Sequence, residues 1–241
     1  MKVCLVTATC GRHYCIERSV RFFLNQDYEN CVQLIYQNSS TEQRLNNHID
    51  KSRVILINNH INLHTHKPYT TLGDIYKDAL RFVPEDTDVI NFFDDDDIFL
   101  PNHVSCGVAG LEKGGKTGYK PEKSFYRSNT KIVLANNTLE PSMFVLASHI
   151  KKHGFSQTTA DQHLTWVEPL KSSIFVDPEG TPTLCYNWGD DFPTFKTSGA
   201  PGNPRNFENY RKASADHGDK IITPLSVENC EKYYNFIKNA H

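Results

Sequence analysis

The stretch Asp88-Val89-Ile90-Asn91-Phe92-Phe93-Asp94-Asp95-Asp96-Asp97-Ile98-Phe99-Leu100-Pro101 constrains this chain more than any other. Val89 to Phe93 is a short, almost wholly apolar run with β-branched and aromatic residues, which suits a strand buried on both faces of a mostly parallel sheet. Four consecutive carboxylates follow it. An unpaired carboxylate is expensive to bury, and four neighbours of like charge repel one another. The cluster is therefore expected where the strand leaves the sheet, at the carboxyl end, where open α/β sheets bind ligands.

On an extended chain Asp94 and Asp96 lie on one side with Cα atoms about 6.6 Å apart, whereas a Mg–O contact is about 2.1 Å. One ion can hold both only if the backbone turns. Otherwise the two divide the work, Asp94 toward a nucleotide ribose and Asp96, with Asp97, toward a metal on a diphosphate. A solvated acidic turn and a calcium site are the competing readings. The apolar strand before the cluster and Ile98-Phe99-Leu100-Pro101 after it weigh against them.

Phe93 to Pro101 resembles the acidic segment of GT-A glycosyltransferases, commonly written L-D-x-D-D-x-x-x-P. The resemblance implies a single α/β domain of Rossmann-like GT-A type, with a mixed, mostly parallel central sheet flanked by helices. It implies a nucleotide-binding half at 1–101 and an acceptor half at 102–241. Asp96, Asp94 and Asp97 become the expected ligands of Mn2+ or Mg2+, and the donor is expected to be a nucleotide sugar, a UDP-sugar first. Thr7, Thr9, Arg12, Gln37, Asn38, Lys77, Asp94, Asp95 and Lys196 are the expected donor-binding residues.

The length of 241 residues is enough for one α/β domain with a full core. A net charge of -2 gives no global attraction to nucleic acid or acidic lipid. Seven cysteines without CxxC pairs read as reduced thiols. Met1 to Thr7 is too short in apolar length for a signal peptide, and no window approaches the roughly 20 apolar residues of a membrane span. The expectation is a cytoplasmic protein without a membrane partner.

Val3 to Thr9 reads as the first strand. Ile16, Val20, Phe23 and Leu24 recur at the spacing of an amphipathic helix, and Val32 to Tyr36 and Val54 to Ile57 read as the next two strands. The second strand ends in Gln37-Asn38-Ser39-Ser40, where GT-A enzymes commonly carry D-D-G-S. These neutral groups can hydrogen-bond a uracil or ribose, or form a plain turn. Thr71 with Asp74 resembles a capping box ahead of the buried stripe Leu72, Ile75, Ala79, Leu80 and Val83. Lys77 on that helix is either a diphosphate contact or a solvated face. His60, His64 and His66 read as loop surface.

Residues 112–132 carry Lys113, Lys116, Lys120, Lys123, Arg127 and Lys131 against Glu112 and Glu122, with Tyr119, Phe125 and Tyr126 interleaved. Basic residues with aromatic faces suit a nucleic-acid surface, and a solubilising loop fits the same composition. Tyr119, Lys120, Lys123 and Trp188 are the expected acceptor-binding residues. Ser142 to Ala147, Ile174 to Asp177 and Thr183 to Trp188 read as strands, and Ser148 as the cap of a short helix ending near Gly154. Gly154-Phe155 followed by Thr159-Ala160-Asp161-Gln162-His163-Leu164 resembles the G-F-(x)n-E-D segment of inverting GT-A enzymes, which makes Asp161 the expected catalytic base. Asp161 also fits a helix first turn favoured by the dipole. The segment 189–206, containing Lys196-Thr197-Ser198-Gly199, is the expected lid, followed by a last helix from Ser226 to Phe236.

Cys10-Gly11-Arg12-His13, Tyr36 to Ser39, Leu72 to Tyr76, Asp94 to His103, Tyr119-Lys120-Pro121 and Asp161-Gln162-His163 together are similar to small soluble glycosyltransferases of large tailed phages. Some of those are implicated in decorating hydroxymethylated cytosine in phage DNA, including with arabinose. The resemblance implies a DNA acceptor bearing a 5-hydroxymethylated pyrimidine. A transferase building a cell-surface glycan and a non-catalytic nucleotide-sugar-binding module are the other readings.

Overall fold

The computed structural model describes residues 1–47, 50–128, 131–137, 140–153 and 173–187. Strand β1 (Val3–Thr9) is buried along its whole length. It pairs in parallel with β2 (Cys31–Gln37) on one side and with β4 (Val89–Phe92) on the other. Strand β3 (Val54–Asn58) extends the sheet beyond β2.

The far side of β4 is occupied by β9 (Phe144–Leu146), which runs antiparallel to it and to β6 (Gly118–Pro121). Strand β10 (Ile174–Asp177) closes that edge in parallel with β6. The seven-stranded order is β10-β6-β9-β4-β1-β2-β3, with β9 the single reversed strand. A second sheet joins β5 (Ile98–Phe99), β11 (Leu184–Asn187), β7 (Lys123–Ser128) and β8 (Lys131–Asn136), in the order β5-β11-β7-β8. The mixed, mostly parallel sheet expected from the sequence is present, and the second sheet is an addition to it.

Period-two alternation sends β1 side chains to two separate cores. Val3 and Leu5 pack with Phe22 and Phe23 of helix α1 (His13–Leu24) and with Val104, Val108 and Leu111 of helix α3 (His103–Gly114). Cys4, Val6 and Ala8 pack with Ile75, Tyr76 and Ala79 of helix α2 (Leu72–Ala79) and with Ala147 and Ile150 of helix α4 (Ala147–His153). Helices therefore cover both faces of the large sheet. Thr71 caps α2 as expected, its hydroxyl accepting from the Asp74 N–H.

Helix α3 fills the stretch between the acidic cluster and the basic segment, to which the sequence assigned no element. Its glycines are sites of close packing: a Cβ on Gly107 would lie 2.3 Å from the Phe144 ring, one on Gly110 2.2 Å from Tyr119, and one on Gly114 2.5 Å from Phe175. Only hydrogen side chains let this helix lie against those rings. No described helix is long and apolar enough to cross a membrane.

Candidate active site

The site forms where β1, β2 and β4 end. Strand β1 outlasts β4, so Thr7 stands beside Phe93 after the last registered pair, Val6 with Phe92. The Thr7 hydroxyl donates to the Phe93 carbonyl at 2.6 Å and accepts from Gln33 Nε2 at 3.0 Å. The chain then turns at Asp95 and Asp96. This supplies the turn that a shared ion requires. Asp94, Asp96 and Asp97 each offer one carboxylate oxygen, and the three atoms lie within 4.8 Å of one another.

Asp95 is not part of this convergence. It is 1% exposed, accepts from Thr9 Oγ1 at 2.6 Å, and is ion-paired with Arg12 Nη2. Burial raises its pKa to about 6, with Asp96 adding to the rise and Arg12 opposing it. Arg18, 3% exposed, directs Nη2 at the Asp95 carbonyl from 3.4 Å. Asp97 is also fully buried. The cluster lies where β4 leaves the sheet, as expected, but two of its four members are buried rather than solvated, and for Asp95 the pairing with Arg12 and Thr9 offsets the burial.

Arg12 uses its other terminal nitrogen on Asp96, with Nη1 3.1 Å from Oδ2. Four carboxylates against the guanidinium groups of Arg12 and Arg18 leave two formal negative charges, the balance one divalent cation would cancel. An all-carboxylate oxygen set suits Mg2+ or Mn2+ rather than a thiolate-seeking metal. The residues present therefore fit such an ion.

Tyr76 completes the arrangement, its hydroxyl donating to Asp94 Oδ1 at 2.6 Å. Burial and the Asp94 charge hold that phenol well above its ordinary pKa, so it stays a donor. The sequence reading passed over this residue. Its signal was a phenol inside the apolar stripe of α2, because a buried Tyr usually needs a partner for its hydroxyl.

Several expected donor contacts are instead structural. Thr7 and Thr9 are buried and spend their hydroxyls on Phe93 and Asp95. Asp95 is enclosed by the partners just described. Gln37 is fully buried, and all four of its side-chain bonds are internal: Nε2 donates to Thr41 O at 2.7 Å and Asn58 Oδ1 at 3.2 Å, while Oε1 accepts from Ser39 N at 2.5 Å and Gly11 N at 3.3 Å. It ties the loop after β1 to the end of β2 and has no capacity left for a base.

Asn38 differs, because its Oδ1 is shielded from solvent and has no hydrogen-bond partner among the described residues. Lys77 is half-buried on α2 and forms no ion pair among the described residues.

The basic segment is corrected as well. Tyr119 is 3% exposed and Phe125 4%, so neither offers a stacking face. Lys113 pairs with Asp177 at 2.8 Å, Lys120 Nζ donates to Asn137 O at 2.8 Å, and Lys123 bonds Asn136 and approaches Glu122 at 3.9 Å. Asp161, Trp188, Lys196, the 189–206 segment and the Ser226 to Phe236 helix lie outside the described residues.

No protein-family model matches the chain, and no curated protein matches it in sequence. Solved structures do match. Residues 1–349 of TarS from S. aureus, in complex with UDP-GlcNAc, superpose with a TM-score of 0.61 at 12% identity, over 99% of this chain and 70% of that one. The longer TarS structure gives 0.55 at 12% identity, and the match spans only 37% of its length. A mannosyltransferase, PcManGT from Pyrobaculum calidifontis, in complex with GDP-Man and Mn2+, gives 0.55 at 10% identity over 99% and 70% of the two chains. With its mixed central sheet, its covering helices and an acidic loop leaving the central strand, the chain has the α/β fold of the GT-A glycosyltransferases.

Proposed function

We propose that this chain is a metal-assisted glycosyltransferase that moves a sugar from a nucleoside-diphosphate sugar, a UDP-sugar first, to a hydroxyl acceptor. The observation that carries this reading is the convergence of Asp94, Asp96 and Asp97 at the end of β4, beside Arg12 and within a GT-A fold. Neighbours of that fold that bind UDP-GlcNAc, or GDP-Man with Mn2+, support the donor class.

In the transfer, the acceptor oxygen bonds to the anomeric carbon while the bond from that carbon to the diphosphate oxygen breaks. The electron pair leaves with the nucleoside diphosphate, and the acceptor proton passes to a carboxylate. Asp94, Asp96 and Asp97 would hold a divalent cation, which would supply Lewis-acid stabilisation of the leaving charge. Arg12, beside Asp96, contributes positive charge there, and Lys77 on α2 is the further cation proposed for the diphosphate. By its resemblance to the base of inverting enzymes, Asp161 takes the proton, and attack opposite the leaving group inverts the anomeric centre. General-base help of this kind is worth about 10²- to 10⁴-fold.

For the acceptor, the likeness to phage enzymes supports a 5-hydroxymethylated pyrimidine in DNA, with arabinose among the sugars. The internal pairing of Lys113, Lys120 and Lys123 favours a glycan hydroxyl instead. The test incubates purified protein and Mn2+ with a panel of nucleotide sugars, with and without hydroxymethylated DNA, and measures released nucleoside diphosphate and labelled product. Sugar-dependent release that is lost in Asp96→Ala is expected. Absence of release across the panel, or release unchanged in Asp96→Ala, overturns the reading. Labelled DNA selects the phage-like acceptor, whereas release without labelled DNA is transfer to water and leaves the DNA acceptor unsupported.

A further inference from the structure

We propose that Arg12 couples cation binding to donor binding: its guanidinium is shared between Asp95 and Asp96 and yields Asp96 to the cation when a nucleoside diphosphate offers phosphate oxygens in exchange. This rests on the donor site proposed above. The contacts of Arg12 with Asp95 and with Asp96 are unequal. Asp95 is 1% exposed and fixed by Thr9, so the Nη2 contact is anchored. Asp96 and Arg12 are each 17% exposed, so the Nη1 contact lies at the solvent side of the pair, where an incoming anion can reach it.

Asp96 is also one of the three carboxylates that converge on one point. A guanidinium and a divalent cation drawn to the same carboxylate repel each other, so in the protein alone Arg12 weakens cation binding. A diphosphate removes that opposition, because the planar fork of an Arg matches phosphate oxygens as well as carboxylates. Arg12 is positioned for the exchange by Gly11, whose φ of 65° turns the chain into α1, and by Gln37, which holds the Gly11 N–H. Arg12 is thus a positioning residue for the cation, acting through Asp96.

The test titrates Mn2+ against the full chain by electron paramagnetic resonance, alone and with saturating UDP, with GDP as a second nucleotide. In the wild-type protein the nucleotide should tighten Mn2+ within the usual coupling range of about 5- to 150-fold. In Arg12→Gln the affinity for Mn2+ alone should rise about tenfold while the affinity in the presence of nucleotide stays the same, because Arg12 has then already left Asp96, so the coupling factor should fall about tenfold. Arg12→Gln combined with Asp95→Asn removes both charges of the buried pair and gives the same readout if the single variant does not fold.

An unchanged or weaker affinity for Mn2+ alone in these variants overturns the proposal, leaving Arg12 as a structural clamp. Loss of Mn2+ binding in Asp96→Ala under that same outcome keeps the metal reading intact while the coupling fails. Absence of Mn2+ binding in the wild-type protein, with or without nucleotide, removes both.

Discussion

The phenol of Tyr76 donates a 2.6 Å hydrogen bond to Asp94 Oδ1, joining the buried face of α2 to the loop that leaves the central strand. The ring is held edge-on to Phe92 at 4.6 Å, so packing fixes the donor and the donor fixes the carboxylate. Tyr76→Phe keeps the packing and removes only the bond. Residues that orient metal ligands in this way typically cost about 10- to 100-fold in metal affinity when replaced. Mn2+ binding by Tyr76→Phe should weaken by that order with the unfolding midpoint little changed, and equal affinity would show that Asp94 needs no such support.

Much of the donor half was legible because its signals are local. The apolar run Val3 to Thr9, the helical spacing of Ile16, Val20 and Phe23, and the Thr71 cap each act over a few residues, and each element formed there. The division of labour within Asp94 to Asp97 was not legible. It depends on Thr7, Thr9 and Arg12, which meet the acidic loop across more than 80 positions of sequence. The alternation of Lys120 and Lys123 with Tyr119 and Phe125 was ambiguous for a different reason. A strand with one inward face gives the same pattern as a nucleic-acid platform, and only the position of β6 and β7 in the fold decides between them.

Helix α3 escaped the sequence reading because each interior glycine costs about 1 kcal/mol of helix propensity relative to alanine. Its packing reverses the usual sign of that difference. Gly110→Ala would put a methyl group 2.2 Å from the Tyr119 ring, and overpacking of this kind costs about 1–3 kcal/mol. Gly115→Ala, by contrast, meets no atom within 4 Å, and only its φ of 57° resists the change. Urea unfolding should rank Gly110→Ala as the more damaging of the two, and the reverse order would mean that α3 shifts away from the sheet at little cost.

His103 should make the stability of the fold depend on pH. Its ring is fully buried among Phe93, Phe99 and Phe144, with Nδ1 2.8 Å from Thr183 Oγ1, and burial lowers its pKa to about 3. Below the ordinary value of about 6.5 the unfolded chain takes up a proton that the folded chain refuses. Stability from this group is therefore present above pH 6.5 and is lost as pH falls toward 3, at up to about 1.4 kcal/mol per pH unit. Denaturant unfolding between pH 7 and 5 should give a shallower slope for His103→Gln than for the wild-type protein. Parallel slopes would mean that the imidazole accepts a proton in the folded state.

Thr7 carries the most local test of why the acidic loop turns. Its hydroxyl is the only atom of that side chain that both donates to the Phe93 carbonyl and accepts from Gln33 Nε2, and Gln33 in turn donates to Ser19 on α1 at 2.7 Å. Thr7→Val preserves shape and deletes the hydroxyl, leaving a buried carbonyl and a buried amide hydrogen without this partner. Each such group costs about 1–3 kcal/mol, so a loss of several kcal/mol is expected in urea unfolding. Because the same bond holds the backbone one residue before Asp94, Mn2+ affinity should fall as well, although Thr7 is buried beneath the loop and touches none of the three converging carboxylates. A variant that unfolds earlier yet binds Mn2+ as tightly as the wild-type protein would separate the two effects, and would show that the geometry of the triad does not depend on Thr7.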